Sequence, residues 1–491
     1  MKQIYCISWL LWVVCVSQLN AQNQEQFKEI FDLGLPVVII NTVDEEMPIA
    51  DEVDPPEGCW GMTINNKSKD YGRLRKYDKD GALLYDSGDY TKDKSGVSLK
   101  LRGNTSARWP KKPYKVTLEK AADLLCRDND MYNDKEFALL TPRGYYDYPS
   151  PLVLMIGTWV QKHVCKGWYP ENEFVNVIIN GDYQGLYSIC ETVKRNSDCR
   201  IDIDGGLGFI AEIDPYWWNE NISIETSIFK YESNPFKLTL KYPDEKDYTE
   251  KYFSYIKDYF ETFENSLTTE TVDEYLDLES WVRWLLAHDI LGSDDFAGSN
   301  IFTYKYDITG DTKLHMGPLW DFDTIETTEN QWSGIHNFQG LYFYQLLQNE
   351  QFMELYNEIY NRESEEIFNK IIQLHEDFKN SDLKTALKAS ISKDIERWPY
   401  RYMEDVDDAI ENSEMWFVDR KTWMDEAVTD MYLKAKENLA AGIDVTEYNP
   451  NMQHDFSEEV YSITGMKQQK LHKGLNIIKS GKNHFSKALI R

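Results

Sequence analysis

The feature that most constrains the fold is a change of hydrophobic period near Tyr248. Upstream, apolar residues recur at the period of two expected of strands; downstream they recur at i, i+3 and i+4, as on a helix face. Leu35 to Thr42 (LPVVIINT) reads as a buried strand, and the acidic stretch from Asp44 to Glu57 as a loop. Tyr71 to Leu101 alternates polar with apolar side chains and is broken by DKDG and SGD, which predicts antiparallel hairpins; Lys112 to Leu118 continues the strand pattern. Pro151 to Cys165 has the length and apolar spacing of a buried helix, and Glu173 to Glu191 reads as a hairpin turning at Asn180-Gly181. Helices are expected at Tyr252 to Leu267, Asp273 to Leu291 and Tyr342 to Arg397. A last stretch, about Asp455 to Arg491, carries VYSITG and GLNIIKSG before a basic end and reads as a small β module. The chain is thus expected to be α+β.

Composition excludes some functions. With 83 acidic against 53 basic side chains and a formal charge of -30, the 491-residue chain repels nucleic acid and anionic membrane surfaces, so no nucleic-acid partner is expected. Lys2, the apolar run Ile7 to Val16 and the small and polar residues around Ala21 fit a cleaved secretory signal over residues 1–21, which predicts a secreted, periplasmic or cell-surface location. No segment approaches the ~20 continuous apolar residues of a membrane span, so no transmembrane anchor is expected. Cys59, Cys126, Cys165, Cys190 and Cys199 remain after the signal, an odd set without a CxxC pair, which disfavours zinc and suits small buried apolar groups. His288, His315 and His336 show neither HxH nor HExxH spacing, and there is no GxSxG elbow.

The most informative segment runs from Gly292 to Asp323, GSDDFAGSNIFTYKYDITGDTKLHMGPLWDFD. Asp295 and Asn300 stand five apart on an expected loop, the strand IFTYKY follows, a Gly-Asp turn reverses the chain, and LHMGPLW delivers Asp321 and Asp323. Metal-assisted phosphoryl transfer needs such a set: a carboxylate near the acceptor hydroxyl, with an amide oxygen and a second carboxylate on a hard cation. Protein kinases use the same order, base and amide five residues apart and the metal carboxylate one hairpin later. Alone, Asp-x4-Asn is a weak signal, and WDFD is equally readable as a turn whose carboxylates cap backbone amides.

Four stretches in order sharpen it: LRGNTSARWPKKPYKVTL (Leu101 to Leu118), VNVIINGDYQGLYSICETVKR (Val175 to Arg195), GGLGFIAEID (Gly205 to Asp214), and LDLESWVRWLLAHDILGSDDFAGSNIFTYK with GPLWDFD. Together they resemble the CotH (spore-coat protein H) kinase family over roughly Leu35 to Trp398. The resemblance implies a two-lobed atypical protein-kinase-like fold with a β-rich lobe about 35–215, a helical lobe about 216–450, and ATP with Mg2+ or Mn2+ between them. It makes Asp295 the catalytic carboxylate, with Asp294 as fallback, and assigns Asn300, Asp321 and Asp323 to the metal, leaving the order of the last two open. Arg102, Lys112 and Lys115 are assigned to the nucleotide phosphates. Lys111 and Lys115 share one side of a regular strand and Lys112 takes the other, although Pro113 interrupts them. Glu191, at the turn from sheet towards the adenine-facing hinge, is a further nucleotide candidate. One departure stands out: the family helix usually carries Arg-Asn after its opening turn, where PLVLMIGTW is apolar.

The expected function is ATP-dependent phosphorylation of Ser, Thr or Tyr hydroxyls on secreted or surface proteins. The alternative is a catalytically silent surface protein of the same fold, acting in adhesion or envelope assembly. A carbohydrate-active enzyme built on YWWNE (Tyr216 to Glu220) and WDFD is a third reading, which the order of motifs disfavours. The domain plan is a signal at 1–21, a linker at 22–34, the kinase-like domain at 35–450 and the β module at 455–491, which resembles the sorting tails of exported Bacteroidetes proteins and implies the type IX secretion machinery as a partner.

Overall fold

The computed structural model describes residues 25–59, 61–104, 106–141, 152–203, 207–226, 236–293, 300–321, 342–399, 405–440, 459–462, 467–468, 474–480 and 484–490. The chain divides into two compact units, 1–439 and 440–491. The apolar run of the expected signal, together with Asp294, Asp295 and Asp323, lies outside the described residues.

The larger unit begins with strands β1 (Val37–Thr42), β2 (Ala50–Val53), β3 (Thr63–Asn66), β4 (Asp70–Tyr77), β5 (Leu83–Asp86), β6 (Val97–Leu101), β7 (Tyr114–Ala122) and β8 (Asp134–Leu140). Helix α1 (Leu152–Val164) and the hairpin of β9 (Asn172–Ile179) with β10 (Asp182–Glu191) follow. Apart from β2 and β3, which pair with each other, these strands form one sheet in the order β1-β9-β10-β8-β7-β6-β4-β5. The sheet closes on itself because β4 also pairs antiparallel with β1, from Val37 opposite Tyr77 to Thr42 opposite Gly72. Closure pairs the edge of β1 and leaves β5, which pairs with β4, as the end strand. It requires close approach: a Cβ on Gly72 would lie 2.3 Å from the Asn41 carbonyl oxygen. Inside, Val38, Ile40, Leu74, Leu99, Val116, Phe137, Val177 and Ile189 form one apolar cluster. The β9–β10 turn is Asn180-Gly181 as its sequence predicts, with φ of 51° and 79°, the left-handed pair that a two-residue hairpin demands.

A second sheet, β12-β13-β11-β14-β15, is built from β11 (Phe209–Asp214), β12 (Ser223–Glu225), β13 (Lys237–Tyr242), β14 (Ile301–Lys305) and β15 (His315–Met316). Alternation divides its faces. Phe209, Ala211, Ile213, Leu238 and Ile301 face the helical core, which holds α2 (Glu250–Ser266), α3 (Leu278–Leu291), α4 (Glu350–Lys379), α5 (Asp382–Arg397) and α6 (Val406–Ala440). Every residue of α3 from Trp281 to Leu291 is buried, as befits a central helix. Arg283 is therefore the cation in its midst that must be satisfied: it bonds Glu279, the Val164 carbonyl and both oxygens of Glu363.

Several expectations change. The acidic loop after β1 contains β2, which pairs with β3. The strand expected from Lys112 starts at Tyr114, after Pro113, so Lys111 and Lys112 precede it. The helix expected from Asp273 divides into Val272–Tyr275 and α3, and the one expected over Tyr342 to Arg397 breaks at Asn380-Ser381, where Ser381 caps α5 through the Lys384 amide. Helix α6 extends past the last expected helix. All five cysteines are free thiols, with Cys190 and Cys199 buried. Among the described residues no helix is long and apolar enough to cross a membrane. In the smaller unit, β16 (Glu459–Ser462), β17 (Lys467–Gln468), β18 (Gly474–Ser480) and β19 (His484–Ile490) form a four-stranded antiparallel sheet.

Candidate functional site

Helix α3 aims the chain at the site. Asp277 caps its start by accepting the Ser280 amide at 2.9 Å. Gly292, at φ 58°, ends it in the left-handed conformation that glycine adopts most readily. The chain re-enters the described residues at Asn300 and runs into β14, which pairs antiparallel with β15 through Thr303–Met316 and Tyr304–His315. The Gly317 amide continues the ladder to the Phe302 carbonyl at 2.7 Å. This register returns the chain to the Asn300 end of the hairpin, where Trp320 and Asp321 follow. Asn300 and Asp321 both have φ of 63°, left-handed in non-glycine residues. Such backbone conformations cost free energy and cluster at functional sites.

Across from them stands the loop after β6. Arg102 lies 5.6 Å from the Trp320 ring, in cation–π geometry. Burial pushes its guanidinium below the ordinary arginine range, against the pull of nearby groups that include Asp321 and Glu212. Glu212 projects from β11 and pairs with Lys241 of β13 at 2.5 Å. Burial raises the Glu212 carboxyl above its ordinary range, opposed by Lys241. Asp214, two residues along the same face, accepts the Thr239 hydroxyl at 3.1 Å and the Tyr216 amide at 2.7 Å.

The structure thus brings Arg102, Asn300 and Asp321 to one end of the second sheet and adds Glu212 and Lys241. Glu212 lies in the quoted stretch GGLGFIAEID, and its signal is a pair of carboxylates, Glu212 and Asp214, two apart in a mostly apolar strand. The other nucleotide candidates take different places. Lys112 Nζ donates to the Ala107 carbonyl at 2.8 Å. Lys115, 41% exposed, pairs with Glu136 of β8 at 3.0 Å. Lys111, not assigned to the phosphates, is the buried one of these three lysines: its Nζ reaches the Leu186 carbonyl and Asp394 Oδ1 at 2.5 Å each. Glu191 is buried, its carboxylate accepting from Arg127 at 2.7 Å and from the Glu171 amide at 3.1 Å. Within YWWNE, Trp217 is covered by Lys237, whose Nζ lies 3.6 Å from the ring centre.

The donors fit a hard divalent cation and a polyphosphate: Asn300 brings an amide oxygen, Asp321 a carboxylate and Arg102 a guanidinium. No curated protein matches the chain. A family model described as CotH kinase protein matches residues 99–424, well over half of the chain, and the protein belongs to the CotH kinase family.

Proposed function

We propose that the protein is an exported atypical kinase that transfers the γ-phosphate of ATP to hydroxyl side chains of secreted or surface proteins. The observation that carries this reading is the convergence of left-handed Asn300 and Asp321 at the end of one hairpin, opposite Arg102. The closed sheet and the helical unit serve as the two lobes of a kinase-like fold. Asn300 and Asp321 hold Mg2+ or Mn2+, with Asp323 as supporting carboxylate, and Arg102 orients the phosphates. Bound metal neutralises charge that develops between the phosphoryl groups. Asp295 accepts the proton of the acceptor hydroxyl. The half-buried Glu212–Lys241 ion pair stands beside Arg102 and holds one acid–base couple in place. Residues 1–21 direct export, and the C-terminal sheet serves the secretion machinery as a sorting module.

A silent surface protein of the same fold is the second reading. It is favoured by the apolar face of α1, where Leu152, Met155 and Ile156 pack into the core in the region in which the family carries Arg-Asn. Transfer of labelled γ-phosphate by the mature protein, to itself and to a Ser/Thr/Tyr-containing acceptor, separates the two. Transfer abolished by Asp295→Ala supports the kinase; a wild type without transfer in either metal supports the silent protein.

A further inference from the structure

At the opposite end of α3 from Asn300, a cavity of about 380 Å³ opens between the loop after α1, the N-terminus of α3 and the β14–β15 hairpin. Helix α3, 14 residues and about 21 Å long, sets the wall at Asp277 and Ser280 away from the helix end that leads to Asn300, while Gly317 and Pro318 carry the lining along the segment that leads to Asp321.

The cavity walls are aromatic. Tyr304 and Tyr306 meet nearly edge to face, their ring centres 5.3 Å apart at 81°; Tyr306 meets His315 at 5.0 Å and 68°, and Tyr304 stacks on His315 at 13°. Trp168 adds a fourth ring to the lining. The ring planes therefore stand in two directions beside the cavity, and aromatic faces attract a cation through their quadrupoles.

The charges point the same way. Three cations line the cavity, and all are engaged: Lys166 with Glu279, Arg283 with Glu279 and Glu363, and Arg200 with the Thr192 and Glu136 carbonyls and, at 3.6 Å, Asp134. Asp202 and Asp277 also line it; Asp202 is exposed, and Asp277 Oδ1 stands 3.7 Å from His315 Nδ1. Burial lowers the His315 imidazole below its ordinary range, so the ring adds little positive charge at neutral pH. An anion entering here would meet the carboxylates of Asp202, Asp277 and Glu279 beside three cations already engaged, whereas a cation meets carboxylates and aromatic rings together.

We infer that this cavity binds an organic cation, an ammonium or guanidinium group on an apolar stem. The inference is independent of the kinase reading, because it uses none of the residues assigned to nucleotide or metal. A free amine and the side chain of a basic peptide present the same chemistry, and the probes separate them.

The test is calorimetric titration of the mature protein with tetramethylammonium, a blocked Gly-Lys-Gly peptide, a blocked Gly-Arg-Gly peptide and the isosteric citrulline peptide. At least one cationic probe is expected to bind at millimolar or lower concentration, with the citrulline peptide at least tenfold weaker. Binding of the tetramethylammonium alone would mark a free-amine site, and binding of the peptides alone a basic-peptide site. Tyr306→Ala and Asp277→Asn, the latter keeping a residue that caps helices well, are each expected to weaken the best probe at least fivefold while circular dichroism and melting stay close to wild type. Absence of binding by every cation, equal binding of the citrulline peptide, or unchanged affinity in both folded variants would overturn the proposal.

Discussion

Lys111 Nζ lies 2.5 Å from Asp394 Oδ1, with the two side chains 2% and 0% exposed, and this ion pair joins the segment before β7 to helix α5. Asp394 Oδ1 also accepts the Leu186 amide at 2.9 Å, and Lys111 lies 4.8 Å from the Tyr187 ring centre. Removing one partner leaves the other buried without its counter-charge, a loss of about 3–5 kcal/mol. Asp394→Ala is accordingly expected to lower stability by that amount in urea unfolding, whereas the apolar pair Lys111→Met with Asp394→Leu recovers most of it. A double variant as unstable as the sum of the single ones would contradict this.

Gly185 makes room for that pair. At φ 108° its added Cβ would sit 2.0 Å from Asp394 Oδ1, so Gly185→Ala must displace the carboxylate as well as strain the backbone. Gly181, at φ 79° with open space around it, provides the control. Gly181→Ala is expected to cost about 1 kcal/mol, the conformational penalty alone, and Gly185→Ala at least about 3 kcal/mol. In an Asp394→Ala background the Gly185→Ala cost should shrink towards that of Gly181→Ala, because the contacts are shared.

Acid sensitivity should be traceable to Glu363. Hydrogen bonds from Arg283 hold its carboxyl at about 2, below the ordinary 4.5. A carboxyl lowered in the folded state stabilises above its unfolded value and loses that contribution as pH falls through the folded one. Glu363→Gln, which weakens a charged hydrogen-bonded pair on buried Arg283, is expected to cost about 1–2 kcal/mol at pH 7. The gap between wild type and variant should stay level down to about pH 5 and close between 4.5 and 2, as followed by chemical denaturation across pH.

The left-handed backbone at Asp321 predicts a separation of stability from function. Glycine adopts φ of 63° without a Cβ penalty, which offsets the loss of the Asp321 carboxylate beside Arg102, so Asp321→Gly should stay within about 1 kcal/mol of wild-type stability. Metal-dependent ATP binding is expected to fall at least tenfold in the same variant. Thermal melting and nucleotide titration on one preparation check both halves.

Local signals were the legible ones. Asn180-Gly181 announced the β9–β10 turn, and the helix end expected at Leu291 falls where Gly292 closes α3, whereas its start at the Asp277 cap differs from the expected Asp273. The separation of 283 positions between Lys111 and Asp394 explains why that pair was not legible: no periodicity connects them, and burial chose Lys111 over the two neighbouring lysines. Closure of the first sheet was equally hidden, since it depends on β4 meeting β1 against a glycine whose only sequence mark is the absence of a side chain. At the site, Asn300 and Asp321 could be read because a single short hairpin sets their spacing. Glu212 and Lys241 could not, because their pairing needs the neighbouring strands β11 and β13 in register.

The central claim, a nucleotide and metal site formed around Asn300, Asp321 and Arg102, is tested most directly by calorimetric titration of ATP into the mature protein with Mg2+ and with Mn2+, beside Asp321→Ala. The account predicts binding that requires the metal and is lost in the variant while the fold persists. A folded wild type that binds no ATP with either metal, or a variant that binds as tightly as wild type, would contradict it.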